Sequence, residues 1–256
     1  GQIGDPSVVP ILLSALAEAD PVTAVAILEL VGRLGDRAAY EQVACLVERA
    51  ECPRARGPAP FQVAACFRAL LQLSSRLDLP LPPLAPAFVL PNVDVLLTEG
   101  DREGVLASIQ AYGAMIPPAW APRILALAEG EEAAELVAFA VELCRRLPAV
   151  IVSALERCPA ALREGFLDGL IEDPTPQIVE ALVAGLSQGQ IGEQAELVEA
   201  LGRIGDPRAI GAMLSLLREG DVWLRARTAE ALGRLGASEA VPVLLDLIAE
   251  GGEEEI

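Results

Sequence analysis

The sequence predicts an all-α fold, a right-handed α-solenoid of about seven to eight two-helix repeats. Three observations lead there. The chain repeats itself: Gly1-Gln2-Ile3-Gly4-Asp5-Pro6 returns as Gly202-Arg203-Ile204-Gly205-Asp206-Pro207. Glu29-Leu30-Val31-Gly32-Arg33-Leu34-Gly35 likewise returns at residues 199–205 and 230–236. The residues of the buried face inside each copy recur at helical spacing, as at 224, 228, 229, 231, 232 and 235, all apolar except Thr228. Apolar residues make up 53% of the chain and aromatics only 4%, and strand signals are essentially absent, which suits stacked Ala/Leu-rich helices.

Weaker copies fill the middle. Glu142-Leu143-Cys144-Arg145-Arg146-Leu147-Pro148 keeps the Glu, the Leu and the second Arg, and shorter echoes start at Arg68, Gln110 and Asp168. Copies therefore begin at 29, 68, 110, 142, 168, 199 and 230, about 31 residues apart, with an eighth half-unit closing the chain. Each unit reads as a shorter apolar helix, such as 209–217, followed by an amphipathic one. Asp-Pro pairs at Asp5-Pro6, Asp20-Pro21, Asp173-Pro174 and Asp206-Pro207 mark helix starts, because Asp caps free amides and Pro fits the first turn. Gly35, Gly205 and Gly236 stand where helix ends call for a left-handed residue. One repeat domain is expected over residues 1–256, with Pro-rich insertions near 52–60 and 79–91. The second holds Pro80, Pro82, Pro83, Pro86 and Pro91, too many for a regular helix. It either packs across neighbouring helices or offers an extended apolar docking segment. The chain opens in mid-pattern, as a fragment of a longer protein would, and Glu253-Glu254-Glu255 reads as a solvated end.

The Gly-Asp-Pro junctions and the Ala-Leu-Gly-Arg-Leu-Gly helix ends resemble HEAT repeats, of the short kind also found in phycobilisome lyase subunits. The resemblance is strong at 1–51 and 174–250 and weak between. It implies an interaction surface, with the second helices lining the concave side. It also implies a structural role for Arg225, bonded to Asp206 or Asp221.

Charge and composition narrow the function. Net charge is −18 with no His and no Lys, so His bases, His metal ligands, Lys Schiff bases and phosphate-loop Lys are excluded. An acidic chain opposes binding to nucleic acid and to anionic membranes, and no apolar run is long enough to span a bilayer. The five Cys form no CxxC and read as reduced thiols packed in helices of a cytoplasmic, bacterial protein. No metal or cofactor site is expected.

On the last second helix Trp223, Arg227, Glu230 and Arg234 share one stripe. The same register selects Phe61 and Arg68, then Phe139 and Glu142, and later Asp168, Glu172, Glu199 and Arg203. All seven stripes together hold nine acids against six Arg. The candidate docking residues are Phe61, Phe139, Glu142, Trp223, Arg227, Glu230 and Arg234, suited to a basic, partly apolar protein segment. Glu/Arg pairs four apart, such as Glu199/Arg203, equally read as helix support. The expected function is a non-catalytic protein-interaction scaffold or adaptor. The alternative is a bilin lyase-like chaperone or enzyme subunit, although an acidic groove without Lys or His suits a bilin's propionates poorly.

Overall fold

The structure, a computed structural model, describes residues 8–16, 18–51, 60–187 and 191–251. Among the described residues there are fifteen α-helices and no strand. The chain divides into two compact units, Gly1–Ile116 and Pro117–Ile256.

In the first unit α1 (Val9–Ala15), α3 (Arg37–Glu51) and α5 (Pro86–Glu99) alternate with α2 (Pro21–Leu34), α4 (Pro60–Leu77) and α6 (Arg102–Tyr112). The second helices of the hairpins stack directly, α2 on α4 and α4 on α6. Leu28, Val31, Val43, Val47, Phe67 and Leu70 are sealed from solvent in this unit. Phe67 meets the rings of Phe88 and Tyr112 with centroids 6.1 and 6.2 Å away.

The second unit follows the same plan. Its first helices are α7 (Ala121–Ala126), α9 (Ile151–Arg157), α11 (Pro176–Leu186), α13 (Ile210–Glu219) and α15 (Ala240–Gly251). Its second helices are α8 (Ala133–Arg146), α10 (Ala160–Ile171), α12 (Ile191–Ile204) and α14 (Val222–Arg234), stacked in that order. Among the described residues, seven hairpins and the lone α15 match the expected count, and all seven repeat origins fall on second helices.

The punctuation works in part as expected. Asp20 accepts hydrogen bonds from the Val22 and Thr23 amides at 3.0 and 3.2 Å, with Pro21 opening α2. Asp206 accepts from the Arg208 amide at 2.9 Å and opens a 3₁₀ turn that leads into α13. Asp173-Pro174 does not start a helix. The start has moved on to Thr175-Pro176, where Thr175 Oγ1 accepts from the Ile178 amide at 3.3 Å. Asp5-Pro6, residues 52–59 of the first insertion and Glu253 to Glu255 lie outside the described residues. Gly205 and Gly236 adopt left-handed φ of 74° and 66°. Gly35 does not; its φ is −61°, and it is confined by space instead. A Cβ there would come 2.5 Å from the Val31 carbonyl oxygen and 2.9 Å from Leu73 Cδ2.

The second Pro-rich stretch also departs from expectation. Residues 79–85 are irregular, but Pro86–Pro91 belong to α5, with Pro86 at its first position and Pro91 inside it. The helix tolerates Pro91 because that residue and Ala87, whose carbonyl loses its helical donor, are both exposed. The irregular part packs across neighbouring helices, the first of the two alternatives. Ser74 Oγ donates to the Leu79 carbonyl at 2.5 Å, Tyr112 Oη to that of Pro82 at 2.9 Å, and Tyr40 Oη to that of Pro80.

One repeat position governs how closely second helices approach. Gly32, Gly202 and Gly233 are equivalent in the repeat. A Cβ at Gly32 would lie 3.3 Å from Ala69 Cα on α4, and one at Gly202 would lie 2.9 Å from Ala231 Cβ on α14. Gly233, on the last second helix, faces open space. Gly202→Ala is therefore expected to cost about 1–3 kcal/mol through overpacking. Gly233→Ala should gain about 0.5–1 kcal/mol, because the strain is absent and only the helical entropy cost of Gly is relieved. Denaturant melts of the two variants check the opposite signs.

The Asp20 carboxyl is held below its ordinary 3.8, chiefly by the Thr23 hydroxyl and amide. A lowered native pKa contributes stability above the unfolded value that is lost as pH falls through the native one. Asp20→Asn keeps a cap but does not titrate. The melting-temperature advantage of the wild type over this variant should shrink as pH is lowered below about 4.

Candidate functional site

The exposed faces of the second helices carry most of the candidate residues. On α14, Trp223 is 52% exposed in the first turn, and the Arg227 guanidinium lies 5.8 Å from its ring centroid. Arg227 also reaches Glu199 of α12 at 3.7 Å, and one turn further on Arg234 pairs with Glu230 at 2.7 Å. These four residues form one ridge, as expected. Phe139 on α8 is half-buried and Glu142 is exposed. The Phe61 side chain lies outside the described residues. Glu142 is separated from the α14 ridge by α10 and α12, so the candidate residues do not converge on a single site.

The charged stripes bind helices to one another more than they support single helices. Glu199 and Arg203, four apart on α12, do not pair together. Glu199 goes to α14, and Arg203 pairs with Asp168 of α10. Arg163 links α10 to α12 through Glu193 at 3.2 Å and Glu196 at 3.7 Å, and its Nε donates to the Cys158 carbonyl at 3.2 Å. Burial raises the Glu196 carboxyl above its ordinary range; Arg163 opposes this and Glu193 adds to it. In the first unit Arg68 joins Asp101 at 2.6 Å and Glu99, which fixes it as a brace.

Arg225 contacts neither Asp206 nor Asp221 through its side chain; its guanidinium donates to the Arg218 carbonyl at 3.0 Å. The physical reason is that Asp206 is already engaged by Arg208, and the last carbonyls of α13 need donors. Arg76 donates to the Gly35 carbonyl and Arg145 to that of Gly169 at 2.7 Å, the same use of a guanidinium near a helix C-terminus.

Clefts open where the close-approach glycine is replaced. Leu71, Arg145 and Ile171 occupy that position on α4, α8 and α10, and each lines a cleft beside the next second helix. The volumes are about 530 Å³ between α4 and α6, about 500 Å³ between α8 and α10, and about 430 Å³ beside Arg203. The last two share Gly169 and Glu172, so they form one groove across α8, α10 and α12. Val137, Val141 and Leu162 make its apolar floor, and Glu142 stands at its rim. The stripe register found Glu142 and Glu172. It missed Arg145, whose signal was present as a substitution at the repeat glycine.

Of the four described cysteines, Cys45 is exposed and the others are packed as expected. Burial pushes the Cys66 and Cys144 thiols up to about 12 and Cys158 up to about 11. Among the described residues no helix is long and apolar enough to cross a membrane.

Stacked helical hairpins define an α-solenoid. Residues 179–256, from within α11 to the end, match the family model of HEAT repeats. HEAT repeats are in general protein-interaction scaffolds. Neither a curated protein nor a solved structure matches the chain.

Proposed function

We infer that the chain is a non-catalytic protein-interaction module whose partner lies along the second-helix face of the Pro117–Ile256 unit. The observation that carries this reading is the α14 ridge. A tryptophan left 52% exposed, with an arginine over its ring, is a ready anchor, since Trp and Arg dominate binding energy at protein interfaces. The three buried thiols, far from the thiolate state at neutral pH, support a role without nucleophilic chemistry. A module of this kind, free of Lys and His and strongly acidic, suits a cytoplasmic partner segment that is basic and partly apolar.

Trp223 is the clean probe, because its exposure lets it be truncated without opening the core, whereas Phe139 is half-buried. Proteins captured by the wild-type chain should be recovered about tenfold less well by Trp223→Ala, with the melting temperature unchanged. Undiminished capture by the variant removes the α14 ridge from the docking face. Failure of the wild type to retain any protein overturns the reading.

A further inference from the structure

We propose that the groove across α8, α10 and α12 is a docking slot for a protein segment carrying an apolar side chain flanked by lysine or arginine. This rests on the interaction reading and names the chemistry of the partner. The groove exists because Arg145 stands where Gly32 and Gly202 allow neighbouring helices to close. Its guanidinium donates to the Gly169 carbonyl of α10 at 2.7 Å and so spans the gap it creates.

The floor is apolar and has room. Val137, Val141 and Leu162 form it, and a Cβ at Gly165 would meet nothing within 4 Å. The rim is anionic. Among the described residues Glu142 and Glu172 have no ion-pair partner, in contrast to Asp168, which Arg203 engages. The charge of Arg145 is directed at a helix C-terminal carbonyl and leaves the two rim carboxylates uncompensated. An apolar slot of about 500 Å³ between two free carboxylates is complementary to a large aliphatic or aromatic side chain with cations on either side. On these helices Arg163 and Arg203 are held in ion pairs and Arg145 by a carbonyl, and Arg146, four residues after Glu142, makes no ion pair with it, so both rim carboxylates are open to cations of a partner.

The test pans a phage-displayed random dodecapeptide library on the immobilised chain. Enriched peptides are then measured by fluorescence anisotropy against the wild type, Glu142→Gln/Glu172→Gln, Gly165→Leu and Trp223→Ala. The enriched peptides should carry an apolar residue between Lys or Arg. Affinity for the double Gln variant should fall about fivefold to tenfold, with a flatter salt dependence. Gly165→Leu, which fills the slot from an exposed helix position, should fall at least as far while its melting temperature is maintained or raised. Peptides that bind the cleft variants as tightly as the wild type overturn the proposal. If those same peptides lose affinity for Trp223→Ala, the slot fails while the interaction reading stands. No peptide retained on any surface counts against both.

Discussion

How near one second helix can come to the next is the constraint on which the rest of this fold depends. Where the repeat supplies Gly32 or Gly202, the following helix closes until no Cβ would fit, and the two backbones pack directly. Where it supplies Leu71, Arg145 or Ile171, the side chain occupies that space and clefts of roughly 430–530 Å³ remain. A single position per repeat thus separates junctions that only hold the array together from junctions that can receive something. The features that make the middle of the chain a poor copy of its ends also give it a surface with relief.

The arginines follow a consistent economy. Arg68, Arg163, Arg203 and Arg227 bridge carboxylates on neighbouring helices, while Arg76, Arg145 and Arg225 serve carbonyls near helix C-termini. With these cations committed to internal joints, much of the net charge of −18 remains on the solvent side as unpaired carboxylates. The Arg203 and Arg227 pairs are about half exposed and contribute modestly to stability, whereas those of Arg68 and Arg163 are largely shielded. The larger effect of these pairings is to leave uncompensated carboxylates, and with them a negative potential, on the solvent side.

Much of the architecture was legible because its determinants are local. The period of about 31 residues, the caps at Asp20 and Asp206, and the left-handed Gly205 and Gly236 can each be read within a few residues. Departures arise where distant parts of the chain meet. Gly35 is required by the approach of Leu73 rather than by its own φ, and Arg225 is claimed by the end of α13 rather than by an acid. Pro91 sits inside a helix because its exposed side absorbs the lost hydrogen bond. The ridge of Trp223, Arg227, Glu230 and Arg234 was visible as a stripe, whereas the α8–α10 cleft depends on two helices meeting across separate repeats. Its signature, Arg145 at a glycine position, gains meaning only once Gly202 is seen against Ala231.

A crystal structure of the Arg145→Gly variant tests whether the residue at this position sets the helix spacing. In it α8 and α10 should draw together, with the backbone at 145 approaching Gly169 as Gly202 approaches Ala231, and the cleft should collapse. A variant in which the cleft keeps its volume of about 500 Å³ and the helices their separation would contradict this.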